Sequence, residues 1–190
     1  MLSNLLMVFL IGFVSVVVLS KLARVFGITT AKLNFKLNIA FELLKKQLPI
    51  SFSVAILEEV IFRFVFITIF GYTFTVCLLT SFIFSLTHFT HGMYKDVIDL
   101  KDKIFLFVGL FILGFLLYQI YRIPFANIMY HSAIITGVTF TTFFLKPEAS
   151  KNWLWWDEGH RLIRTPAAWL IMLAGMLLIL KLNNLNLFLN

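Results

Sequence analysis

Glu58 and Glu59 stand side by side in an otherwise apolar run, residues 50–70, and Arg63 follows the second glutamate at i, i+4 spacing. Ionised side chains at bilayer depth cost roughly 2.5 to 3.5 kcal/mol each on insertion scales unless paired or hydrated, so such a cluster marks a site with a task. A buried ion pair accounts for Glu59 with Arg63, because residues four apart share a helix face. It leaves Glu58 over, about 100° round the helix from its neighbour and with no cation close in sequence. Glu58 is thus the candidate for chemistry. Two further apolar runs carry histidines: one ends Phe84-Ser-Leu-Thr-His88, with His91 a turn later, and another contains Asn127-Ile-Met-Tyr-His131. His91 reads as an interfacial residue. His131 lies well inside its run, and His88 is placed where a neighbouring helix could meet Glu58. A carboxylate flanked by imidazoles, which take up and release protons near neutrality, is suited to general acid–base chemistry.

The elements that must hold these residues are membrane spans. Of 190 residues 61% are hydrophobic and only 13% charged, and the mean hydropathy is +0.96; a soluble domain carries about a quarter charged residues. The fold class is all-α, a polytopic transmembrane helical bundle. A window of about 20 apolar residues predicts six spans, near 5–20, 50–70, 72–89, 104–121, 125–145 and 166–180. The first has no basic segment before its apolar core and ends Ser20-Lys-Leu-Ala-Arg24 without a clear small-residue cleavage site, so it reads as a retained span. Between the first two spans, Leu33, Leu37, Phe41, Leu44 and Leu48 recur at helical spacing, with Lys32, Lys36, Lys45 and Lys46 mostly off the stripe. That pattern predicts a separate amphipathic helix lying on the membrane surface. With no repeat, linker or low-complexity tract, residues 1–190 read as one integral membrane domain.

The net charge of +7 follows membrane topology rather than a nucleic-acid surface, since no basic patch interleaved with aromatics stands apart from the loops. Lys21, Arg24, Lys32, Lys36, Lys45, Lys46, then Lys95, Lys101, Lys103, then Lys146, Lys151, Arg161 and Arg164 fall on one side of six alternating spans; Arg122 and Lys181 fall on the other. The positive-inside rule then places the three basic loops in the cytoplasm and both termini outside. Trp153, Trp155 and Trp156 read as interfacial anchors. The single cysteine, Cys77, allows no intrachain disulfide.

Glu58-Glu59-Val-Ile-Phe-Arg63 resembles the EExxxR motif, and Phe84-Ser-Leu-Thr-His88 the FxxxH motif, of the CAAX prenyl protease and bacteriocin-processing family of intramembrane proteases, also called CPBP or Abi. The stretch from Phe107 through Gly109, Gly114 and Tyr118 to His131 is similar to a later region of that family, a glycine-containing span followed by a histidine. The resemblance covers about residues 40–145, with the motifs in order. It implies a glutamate-type intramembrane endopeptidase without a cofactor, acting on a membrane peptide or protein tail in the lipid bilayer, with a bacterial cytoplasmic membrane suggested by the small size. Glu58 would activate a water, His88 would hold or polarise it, and Glu59 with Arg63 would fix the helix and the local field. His131 would donate to the oxyanion. The family pattern continues HxxxN, whereas Ile135 stands four residues after His131; we expect Asn127, one turn before His131, to supply the missing amide.

Two alternatives stand beside this reading. Glu58, His88 and His131, with His91 in reserve, could ligate zinc, although no HExxH helix is present. A catalytically silent immunity or scaffold protein is favoured by Ile135 and disfavoured by the retention of Glu58, His88 and His131 at bilayer depth. A transporter would show paired discontinuous spans, which the sequence lacks. The active-site reading also carries a geometric demand. His131 begins only seven residues after Pro124, about 10 Å of helix, so meeting Glu58 requires a tilted or shortened fourth span, or a connection around Tyr121 to Pro124 that dips inward.

Overall fold

The structure, a computed structural model, describes residues 2–25, 37–90, 100–144 and 166–185. Its elements are α1 (Leu2–Val25), α2 (Leu37–Glu59), a π-helical segment (Val60–Val65), α3 (Phe66–Phe70), α4 (Phe74–Thr90), α5 (Leu100–Ile120), α6 (Ala126–Phe144) and α7 (Pro166–Leu182). Helix α2, the π segment and α3 follow one another without a break, so the described residues form six rods and no strand. Each predicted span falls in one rod. His91, Lys95, Lys146, Lys151 and the tryptophans of the last basic loop lie outside the described residues.

One expectation is corrected. The amphipathic segment is not a separate surface helix: from Leu37 onward it runs through Pro49 into the second span as a single helix. Phe41 of the apolar stripe is 67% exposed, as a lipid-facing side chain is, while Ala40, Ser51 and Ala55 are buried. In lipid, large apolar side chains gain nothing by leaving the surface, and helices approach each other through small residues. Ala40, Ser51, Ala55 and Glu59 line the face of α2 that packs on α6.

The inversion is general. Leu57, Ile69, Phe70, Phe74, Phe82 and Leu170 are exposed, while Glu59, Arg63, Thr80, Ser81, Ser85 and Gln119 are buried. An apolar surface of that extent is incompatible with water and suits hydrocarbon. By length and composition α1 (over Asn4–Leu22) and α5 (over Lys103–Ile120) can each cross a membrane, and the apolar parts of α4 and α7 are shorter. The chain is an integral membrane protein. Several buried hydroxyls are satisfied within their own helix, as Ser81 donating to Cys77 O at 2.6 Å and Ser85 to Ser81 O at 3.0 Å, which lets polar residues line a helix in a medium without water.

Helix α5 is the centre of the bundle: Leu106, Leu110, Leu113, Leu116, Leu117 and Ile120 are buried among Phe62, Phe84, Met172, Met176 and Ile179. It packs on α4 and α7, while α6 packs on α1 and α2. Gly114 permits the close approach of α5 to α4, because a Cβ there would sit 3.1 Å from Ser81 Cα. Gly71, at φ 81°, turns the chain between α3 and α4 in a region only glycine adopts without strain. Of the turn between α5 and α6, Ile123 is buried at 8% exposure while Arg122, Pro124 and Phe125 are exposed.

Candidate active site

Four helical segments converge on the paired glutamates. Glu58 and Glu59 are the last residues of α2, and the π segment begins at the next residue. A π turn adds one residue to the repeat and re-aims the side chains within it, a feature that recurs at functional sites. Nothing in the sequence announced it. Arg63, inside this segment, is fully buried and donates from Nη1 to Glu59 Oε1 at 2.9 Å and from Nη2 to the Gly114 carbonyl of α5 at 3.2 Å. Its guanidinium also lies 4.6 Å from the centroid of the Phe84 ring on α4. Arg63 therefore ties three elements together at bilayer depth, which a buried charge must do to be tolerated.

From α6, Asn127 Nδ2 donates to Glu59 Oε2 at 2.7 Å and His131 Nδ1 lies 2.9 Å from Glu59 Oε1. Glu59 thus receives donors from Arg63, Asn127 and His131 and is 2% exposed. Surrounded by donors, it is the ionised, acceptor-only partner, so His131 carries its proton on Nδ1. His131 Nε2 then points at Glu58 Oε2, 3.4 Å away.

Helix α4 brings the last member. His88 Nδ1 lies 2.6 Å from the Phe84 carbonyl oxygen of its own helix. A carbonyl only accepts, so Nδ1 holds the proton, and Nε2 is the free nitrogen, 3.6 Å from Glu58 Oε1. Phe84 sits under both imidazoles, its ring centroid 4.4 Å from that of His88 and 6.0 Å from that of His131. Its place in the motif is explained by these contacts and by Arg63.

All six residues singled out in the sequence, Glu58, Glu59, Arg63, His88, Asn127 and His131, meet in one place. The two glutamates differ in kind. The side chain of Glu58 is 22% exposed and faces His88 Nε2 at 3.6 Å and His131 Nε2 at 3.4 Å; Glu58 Oε2 is a buried oxygen with no hydrogen-bond partner. Sequence reasoning missed the Gly114 carbonyl as a partner of Arg63, although the glycine itself stood out. It also missed the contact between Asn127 and Glu59, because a pairing between helices leaves no trace in local spacing. Among the described residues no group of three or more His, Cys, Asp or Glu side chains is arranged to hold a metal ion.

The sequence pattern of the Type II CAAX prenyl endopeptidase Rce1-like family matches residues 41–182. The chain belongs to this family. No curated protein matches the chain, and no solved structure does. The matched span begins within α2 and ends with α7, so α1 alone of the described helices precedes it. The protein is accordingly an intramembrane protease of the CAAX type, and its substrate is a membrane-associated protein.

Proposed function

We propose that this Rce1-like protein is a glutamate-type endopeptidase that hydrolyses a peptide bond near the membrane-embedded end or tail of its substrate, with water activated by Glu58. The observation that carries this reading is the asymmetry of the two glutamates: Glu59 is enclosed by three donors, whereas Glu58 faces two imidazole nitrogens at 3.4 and 3.6 Å. Both Nε2 atoms are acceptors in their neutral forms, so neither can donate to the Glu58 carboxylate. Polar groups held apart at such distances are suited to bridging by water. A water placed there gives one hydrogen to Glu58 and the other to His88 Nε2. As its oxygen attacks the scissile carbonyl carbon, Glu58 takes the proton and later passes it to the leaving amine, breaking the C–N bond.

His131 is oriented by Glu59 through Nδ1, the arrangement that stabilises an imidazolium. On taking up a proton from solvent at Nε2 as the substrate carbonyl enters, it donates to the oxyanion that develops on the carbonyl oxygen, and it releases that proton to solvent after the intermediate collapses. Asn127 enters with a different task from the one its position suggested: its amide holds Glu59, so it acts through Glu59 and His131 rather than by direct donation to the oxyanion. Ile135 then needs no substitute at the oxyanion itself. A prenylated C-terminal tail is the substrate class that the family description supports. The one-sided distribution of Lys and Arg supports an orientation with the basic loops in the cytoplasm.

The test is cleavage of a fluorogenic prenylated peptide by purified protein in lipid nanodiscs. Glu58→Gln should lower kcat by roughly a hundred- to ten-thousandfold with an unchanged melting temperature, and strong chelators should leave the parent active. Activity that chelator removes and zinc alone restores would replace the water-activating carboxylate by a metal centre. Turnover in Glu58→Gln would overturn the assignment of the base.

A further inference from the structure

The helix that carries Asn127 and His131 is gripped from behind by helices that contribute nothing to the site. Tyr130, next to His131 in sequence and about 100° round α6 from it, is fully buried and lies against α1 and α7. Its hydroxyl donates to the Met172 carbonyl of α7 at 3.1 Å. The hydroxyl also fills the notch left by Gly175, where a Cβ would lie 3.0 Å from it. On the other flank α1 comes into near-backbone contact: a Cβ on Gly12 would lie 3.1 Å from Tyr130 Cδ2, 3.2 Å from the Tyr130 carbonyl oxygen and 2.9 Å from Ala133 Cβ. A Cβ on Gly137 would press equally on Val16, 2.9 Å away. Sliding or rolling of α6 is therefore opposed by steric walls on two helices and by one directional hydrogen bond.

We propose that Tyr130 is a positioning residue for hydrolysis: by fixing the register and rotation of α6 against α1 and α7, it sets where His131 and Asn127 stand relative to Glu58 and Glu59. The inference rests on the site reading above. Its physical basis is that two short contacts, 2.7 Å to Asn127 and 2.9 Å to His131, are made across a helix interface. A shift of about 1 Å in such a constellation can cost a hundredfold in rate. The hydroxyl is the part of Tyr130 with directional information, since the ring alone would fill the space at several rotations.

Tyr130→Phe keeps the ring and removes the hydrogen bond. Assayed in nanodiscs with the fluorogenic peptide, it should lower kcat about ten- to a hundredfold with KM unchanged, measured well below a melting temperature that still exceeds assay temperature. Gly175→Ala is the second variant, crowding the same hydroxyl from α7, and should also lower kcat. Combined with Tyr130→Phe, which removes the nearest atom it strikes and leaves only Ser15 Oγ at 3.2 Å in close approach, Gly175→Ala should add less than its own separate loss. Unchanged kcat in Tyr130→Phe, a change confined to KM, or full additivity of the two substitutions would overturn the proposal; if Tyr130→Phe does not fold, unchanged kcat in Gly175→Ala does so. His131→Ala in the same assay separates the two levels. Activity there would remove the site reading itself, whereas an inactive His131→Ala beside a fully active Tyr130→Phe would remove only the clamp.

Discussion

Two polar knots hold this bundle together, and they are built in opposite ways. The first, around Glu58 and Glu59, is charged. The second joins the turn after α3 to the end of α5 and centres on neutral tyrosines. There Tyr72 stacks on Tyr118 with ring centroids 4.7 Å apart and its hydroxyl donates to the Tyr118 carbonyl at 3.2 Å. The Tyr118 hydroxyl accepts from Thr73 N at 3.1 Å and donates to Thr73 O at 3.2 Å. Thr73 Oγ1 in turn accepts from Val76 N and caps the start of α4. Donors and acceptors are matched locally, and the charge beside them, the Arg122 guanidinium 5.8 Å from the centroid of the Tyr72 ring, is exposed rather than buried. In the first knot, Glu58 Oε2 and Arg63 Nε are buried without hydrogen-bond partners, and the contacts to Glu58 are long. A knot whose only task is to join helices has no reason to leave such groups open, because each costs about 1 to 3 kcal/mol. An open carboxylate beside another enclosed by donors is the asymmetry on which we propose Glu58 as the reacting group.

The comparison can be broken most directly at Glu59. Glu59→Gln leaves Arg63 buried without its counter-charge, a defect of about 3 to 5 kcal/mol, and removes the anion that orients His131. Thermal unfolding in nanodiscs should show a large drop in melting temperature, in contrast to Glu58→Gln. Equal stability of the two variants would erase the distinction between an enclosed and an open glutamate.

A smaller effect is expected at Asn127. Asn127→Ala leaves Glu59 Oε2 without its 2.7 Å donor and should cost about 1 to 3 kcal/mol of stability, together with a fall in kcat as His131 loses a fixed partner. Loss of rate with no loss of stability would return the amide to the oxyanion, as its position in the sequence suggested. The smallest effect lies in the neutral knot. Tyr118→Phe keeps the stacked ring and loses the hydroxyl, for about 0.5 to 1.5 kcal/mol, and kcat should be unaffected. A large loss of turnover there would mean that the two knots are coupled rather than separate.

Side-chain types and local periods carried the helices and the members of the site. Runs of apolar residues at bilayer length located every rod, and the i, i+4 spacing of Glu59 and Arg63 predicted their ion pair, which forms at 2.9 Å. Hydrophobic pattern misled only over continuity. The segment through Phe41 and Leu48 was read as a helix lying on the membrane surface, but it runs without a break into the second span and packs through Ala40, Ser51 and Ala55.

What the sequence determined by itself is the inventory: a membrane bundle of helices, and within it two carboxylates, an arginine and the histidines, whose burial at that depth demands partners. Those properties are local, fixed by composition and by neighbours along the chain. The division of labour between Glu58 and Glu59 was decided only by tertiary structure. It depends on α6 delivering Asn127 and His131 to one glutamate, on α4 delivering His88 to the other, and on a π turn that sets the angle of Arg63. Contacts between residues 68 and 72 positions apart arise from helix packing, and packing is settled by small residues and steric walls that no single segment contains.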